Sequence, residues 1–118
     1  MARTRASAKQ AGARFERAVA DYLAHAVDDR IDRRVKTGSA DKGDIAGVRY
    51  LGHRVVIECK DRARLDLPGW IAEAHTQRDH DDAALGLIVH KRHGRAEPGD
   101  QWVTMTLADL AWMLREAG

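Results

Sequence analysis

With 118 residues, 44% of them hydrophobic and 32% charged, the chain carries enough apolar surface for one core and too much for a disordered polyelectrolyte. No apolar run approaches the ~20 residues that span a bilayer, and the basic opening MARTRASAKQ runs into an amphipathic pattern where a secretory leader would have an apolar core, so a cytoplasmic protein is expected. The formal net charge is only +2, and the single cysteine, Cys59, excludes an internal disulfide framework and any zinc site built on several thiolates.

A first helix is expected from about Ala8 to Ala26, where Phe15, Val19, Tyr22 and Leu23 recur at helical spacing among alanines of high helix propensity. The stretch Arg30–Lys36 alternates Ile31 and Val35 with charge, which predicts a short edge strand, and Thr37–Gly43 supplies turn chemistry. GDIAGVRYLGHRVVIECKD then places two β-prone runs around a turn containing Gly52 and reads as a hairpin. Asp66 is placed to cap a second helix that begins near Leu67, with Pro68 in its first turn, and runs through Trp70, Ile71, Ala74 and Gln77 to about Asp82. Leu85–Lys91 is an almost continuous apolar run, as in an interior strand. A polar loop leads to a last strand, Trp102–Thr106. Thr106 and Asp109 form a capping box for a final helix whose Leu107, Leu110, Ala111 and Leu114 make an apolar stripe. The expected order is αβββαββα in a single domain without internal repeats.

The residues with chemical potential cluster in the hairpin. Strand side chains alternate faces, so Glu58 and Lys60 project from one side of the strand Arg54–Lys60, and Val55, Ile57 and Cys59 from the other. If the hairpin is centred on Leu51, Asp44 and Glu58 are each seven positions from it and become cross-strand neighbours. Two carboxylates side by side repel, and a hard divalent cation with oxygen ligands compensates them. Lys60 beside such an ion completes a site able to activate water. The competing reading is a solvated sheet face on which Glu-x-Lys is an ordinary charge pair. Glu16, on the amphipathic first helix, is a candidate third carboxylate.

Basic residues crowd the beginning of the chain, Arg3, Arg5, Lys9, Arg14 and Arg17, and Arg30, Arg33, Arg34, Lys36 and Lys42 follow soon after. They suit a phosphate-binding face and equally an ordinary solvated surface. His75, His80, His90 and His93 fit no zinc spacing. Trp102 and Trp112 read as core or interface anchors, and Gln77 as either an exposed helix residue or an accessory of the site. The Gly38–Gly43 loop lacks the G-K-[ST] ending of a phosphate-binding loop, so no nucleotide cofactor is expected.

Glu16 in ARFERAV, the segment GSADKGDIAG, and VVIECK after a short hairpin together resemble the PD-(D/E)XK, or restriction-endonuclease-like, nuclease superfamily. Within it they are most similar to the archaeal-type Holliday junction resolvases, over roughly residues 9–90. The resemblance implies an α/β fold with an αβββαβ core, a C-terminal strand and helix, and a central mixed sheet flanked by helices. It implies Mg²⁺, with Mn²⁺ as a substitute, held by Asp44, Glu58 and the backbone carbonyl of Cys59, with Glu16 as accessory acid. Lys60 becomes the lysine that positions the attacking water or stabilises developing phosphate charge. Arg17 and Ser39 match positions near DNA phosphate, and Arg14, Arg33, Arg34, Lys36 and Lys42 complete the candidate DNA-binding set. Gly43 stands where the superfamily's name has proline, and the segment between Glu16 and Asp44 is longer than usual.

The implied activity is hydrolytic resolution of four-way DNA junctions, leaving 5′-phosphates. Paired nicks require two equivalent sites and hence a symmetric homodimer, for which Trp70, Ile71, Trp112 and Met113 are the candidate surface. A single-strand or end-processing nuclease of the same superfamily, or a non-catalytic DNA-binding module on the same fold, are the alternatives.

Overall fold

The computed structural model describes residues 3–35 and 42–118. Helix α1 spans Arg5–Ala26 and starts three residues before the expected Ala8, because Thr4 caps it: its Oγ1 accepts the Ser7 amide at 3.0 Å. Ala11, Phe15, Val19 and Ala20 form its buried side, whereas Tyr22, expected in the same stripe, is 44% exposed.

The expected strand Arg30–Lys36 shrinks to β1 (Asp32–Arg33), which pairs antiparallel with β2 (Ile45–Ala46) as a separate two-stranded sheet. Lys36 and most of the turn that follows lie outside the described residues. The hairpin forms from β3 (Arg49–Tyr50) and β4 (His53–Lys60), with Tyr50 opposite His53 and Arg49 opposite Arg54. Its centre is therefore between Leu51 and Gly52, not on Leu51 alone. Both take positive φ, 49° and 83°, as the tight two-residue turn demands.

The strand expected to lead into this turn is split into β2 and β3 by Gly47. At φ +84°, with the Arg30 carbonyl only 2.8 Å from where a Cβ would sit, Gly47 bends the chain away from the ladder. Val55 N donates to Val48 O at 3.1 Å while Asp44 N donates to Ile57 O at 2.8 Å, so the chain from Asp44 to Val48 spans only Val55 to Ile57 on β4. The register slips by two across this bend.

Helix α2 (Leu67–His80) is the crossover from β4 to β5 (Leu85–His90), and the two strands run parallel, from Val55 opposite Leu85 to Lys60 opposite His90. Strand β6 (Trp102–Thr104) returns antiparallel to β5, and helix α3 (Leu107–Ala117) closes the described chain. The result is an α/β fold with three helices and a mixed four-stranded sheet ordered β3-β4-β5-β6 among the described residues.

Strand alternation divides the core. Phe15, Val19 and Ala20 of α1 pack on Val55, Ile57 and Cys59 of β4 and on Leu85, Leu87 and Val89 of β5. On the opposite face Trp70 and Ala74 of α2 pack on Ile88. Each such aliphatic or aromatic side chain contributes roughly 1.5–3 kcal/mol by leaving water. Gly86 lets α2 lie hard against β5: a Cβ there would stand 2.7 Å from the Ala74 carbonyl.

The last helix departs from its sequence pattern. Thr106 Oγ1 accepts the Asp109 amide at 3.2 Å, but the Asp109 carboxylate turns inward instead of back to Thr106 and accepts the Gly86 amide at 3.3 Å, facing His75 and Arg78. Only half of the capping box forms. With Asp109 inward, Leu107 and Leu114 are 79% and 65% exposed, and Trp112 and Met113 turn to the core, where Tyr50 Oη donates to Met113 O at 2.7 Å. Trp70, expected on a dimer surface, is buried in the core. No helix among the described residues is long and apolar enough to cross a membrane.

Candidate active site

At the carboxyl end of β4, between α1 and α2, lies a cavity of about 560 Å³ lined by Glu16, Arg33, Asp44, Glu58, Lys60 and Gln77, among others. Open α/β sheets present their ligand crevices at this end of parallel strands. Glu58 and Lys60 reach it because they share the face of β4 opposite Ile57 and Cys59.

Asp44 arrives by a different route from simple cross-strand pairing. Its amide donates to Ile57 O, and its Oδ2 accepts the Cys59 amide at 2.8 Å, so the residue brackets Glu58 with one backbone and one side-chain bond. Gly43, just before it, has φ +91°, with Ile57 O and Val56 Cγ1 each 3.0 Å from an added Cβ. Proline, locked near φ −65°, cannot occupy this conformation, which explains glycine at the position. The Gly43 amide donates to Gln77 Oε1 at 2.7 Å, tying α2 to the entry of the site.

Asp44 and Glu58 are 4% exposed each and share a side-chain hydrogen bond. Burial, then the bond to Asp44 and its charge, push the Glu58 carboxyl from its ordinary 4.5 up to about 9, against a smaller opposing pull from Lys60. At neutral pH the pair therefore holds a proton between its carboxylates. Lys60 Nζ is 2.5 Å from Glu73 Oε2 on α2, which occupies much of its charge.

Glu16 lines the same cavity but is tied up by Arg33, whose Nε donates to Glu16 Oε1 at 2.9 Å. Among the described residues no three His, Cys, Asp or Glu side chains converge into a metal cage. Mg²⁺ does not need one, since it keeps several waters and takes one or two carboxylates. Two buried carboxylates forced to share a proton fit such an ion, because a divalent cation relieves the repulsion that now retains the proton. Cys59 belongs to the core cluster and also lines the cavity.

The expected DNA-binding residues that the structure describes are spread over several places. Arg17 is held by Asp21 at 3.3 Å and Asp32 at 2.7 Å, and Arg33 by Glu16. Arg14 lines a separate hollow with Lys91, and Arg34 and Lys42 another with Arg49 and Asp81. Lys36 and Ser39 lie outside the described residues. The histidines occupy separate environments: His75 faces Asp109, His90 is buried at 2.8 Å from Thr104 Oγ1 with its pKa lowered by burial, and His93 meets the Arg62 carbonyl.

Glu73 is the functional candidate that sequence reading missed. Its signal is present in the sequence, for it lies one helical turn before Gln77 on the same face of α2. No family model matches the chain, and comparison with curated proteins and with solved structures returns no match.

Proposed function

We propose that the protein is a metal-dependent DNA endonuclease of the restriction-endonuclease-like type, acting by preference on four-way junctions. The observation that carries this reading is the meeting of two buried carboxylates, Asp44 and Glu58, in the lining of a cavity that also presents Lys60. A helix, a hairpin and a βαβ crossover arranged around that cavity support a restriction-endonuclease-like core.

In this reading Asp44, Glu58 and the Cys59 carbonyl hold Mg²⁺, which when bound supplies Lewis acidity and lowers the pKa of water. Asp44 is oriented by the Cys59 amide and by the Gln77–Gly43 contact. Glu58 must release its proton for the pair to bind a cation. Lys60, steered by Glu73, offers an ammonium to a phosphate oxygen as negative charge builds there. Glu16 becomes an accessory acid once Arg33 turns to a phosphate. Resolution of a junction by paired nicks calls for a two-fold homodimer. Trp70 is too buried to serve its surface, and of the expected residues Ile71, Trp112 and Met113 remain half-buried.

The test is a labelled four-way junction, matched duplex and single strand incubated with the protein in Mg²⁺ and in chelator. The reading predicts Mg²⁺-dependent symmetric nicks in the junction that Glu58→Gln and Lys60→Ala abolish. Absence of cleavage on every substrate, or wild-type cutting by Glu58→Gln, refutes it; equal cutting of duplex and junction leaves a general nuclease.

A further inference from the structure

Beyond Lys60 the chain leaves β4 into the loop Asp61–Asp66 before entering α2. Next to this loop lies a groove of about 480 Å³, lined by Arg62, Ala63, Arg64, Gly69 and Trp70, that shares Lys60, Arg62 and Glu73 with the catalytic cavity. The two depressions form one continuous path over the candidate active site.

The charges along this path are unevenly satisfied. Each carboxylate has a partner: Asp61 takes Arg3 at 3.1 Å, Asp66 accepts the Gly69 amide at 3.2 Å as the cap of α2, and Glu73 holds Lys60. The side chains of Arg62 and Arg64, both at the surface, make no ion pair or hydrogen bond among the described residues. The loop that carries them is anchored, since the Arg62 carbonyl meets His93 Nε2 at 3.1 Å and the Asp61 carbonyl accepts from Arg3 at 3.0 Å. Two unsatisfied guanidiniums on a pinned loop, next to a helix N-terminus, make a surface set for a polyanion. Leu65 follows them and is 70% exposed, an apolar side chain offered to solvent between charged neighbours.

We propose that Arg62 and Arg64 hold the backbone phosphates next to the one at the active site, and that Leu65 packs on a base left unpaired at a branch point. Apolar side chains inserted at disrupted base steps act in this way, and the guanidiniums supply affinity without reading sequence. This inference rests on the DNA-nuclease reading above and adds the element that selects branched over linear DNA. It also shifts the phosphate-binding surface away from Arg17, which is already neutralised by Asp21 and Asp32.

The experiment measures binding of the full chain to a labelled four-way junction and to a matched duplex in chelator, where no cleavage intervenes, across a salt series. Arg62→Ala/Arg64→Ala should bind both DNAs at least about tenfold more weakly, with the slope of log K against log salt lowered by about 0.9 for each phosphate that is no longer neutralised. Leu65→Ser should weaken junction binding several-fold and leave duplex binding unchanged. These loop positions are at the surface, so a circular dichroism spectrum matching wild type identifies a folded variant. Wild-type affinity and salt slope in the double variant overturn the phosphate subsite, and equal weakening on both DNAs in Leu65→Ser overturns the base contact. A wild-type protein that binds no DNA refutes the nuclease reading itself and this inference with it.

Discussion

The proton shared by Asp44 and Glu58 makes a sharp prediction about stability. Glu58 titrates near 4.5 in the unfolded chain and near 9 in the folded one. The folded state therefore keeps a proton that the unfolded state gives up. Its contribution to stability is fully present below pH 4.5 and is lost steadily as pH rises to about 9. At pH 7.5 the difference spans about three pH units, or about 4 kcal/mol at roughly 1.4 kcal/mol per unit, a large part of a small domain's stability. Glu58→Gln removes the titration while its amide still donates to Asp44, so the variant should gain about 2–4 kcal/mol over wild type at pH 7.5 and little at pH 4.5. Urea titrations of both proteins in chelator at the two pH values measure this directly. An advantage for Glu58→Gln that is the same at both pH values would refute the shared-proton account. The same proton must leave when a cation binds, so Mg²⁺ titrations in buffers of different ionisation enthalpy should show about one proton released per ion near neutral pH.

Gln77→Ala removes the acceptor of the Gly43 amide and should cost about 1–2 kcal/mol by urea denaturation; on the proposed function, cleavage should fall as well. Gly43→Ala must adopt φ +91° within 3.0 Å of Ile57 O, so thermal unfolding should show a clear loss of stability and the Asp44 site should lose metal affinity by calorimetry. Ile88→Ala, at a fully buried point between α2 and the sheet, should destabilise by about 2–5 kcal/mol in the same urea assay, whatever the protein's activity. Thr106→Ala removes the cap of α3 and should cost about 1 kcal/mol.

The periodic signals in the sequence locate α1 and the two long strands, because Phe15 and Val19, the Val55–Cys59 alternation and the Leu85–Val89 run report burial directly, whereas α2 and α3 are legible from their caps, Asp66 with Pro68 and Thr106. The hairpin is legible from its turn, but not its register. Glycine at position 47 permits a bend without requiring one, and only the nearby Arg30 carbonyl makes it obligatory. Symmetry about Leu51 predicts the meeting of Asp44 and Glu58, yet the structure reaches it through a two-residue slip and a side-chain bond to Cys59. Placing Lys60 and Glu58 together needs only period-two alternation. The pairs Arg17–Asp32 and Arg33–Glu16 are invisible in the sequence because the folding of α1 onto β1 brings the partners close, whereas Asp21, four residues after Arg17 on the same helix, is a legible partner. The spacing of Asp109 from Thr106 suits a cap; the competing donor, Gly86 N, comes from a distant strand.

Gly86 links packing to chemistry in a way that bears on how such a chain drifts. Because α2 rests on β5 through the missing side chain, the height of the helix above the sheet is set at one point, beside the turn that carries Glu73 and Gln77. An alanine there meets backbone, so the helix itself has to lift, and overpacking of this kind costs about 1–3 kcal/mol. The links from Gln77 to Gly43 and from Glu73 to Lys60, 2.7 and 2.5 Å long, hang from the same helix and are displaced with it. A change at a position remote from the cavity would then reach the fold and the candidate site together, and Gly86→Ala should show lowered stability by urea denaturation.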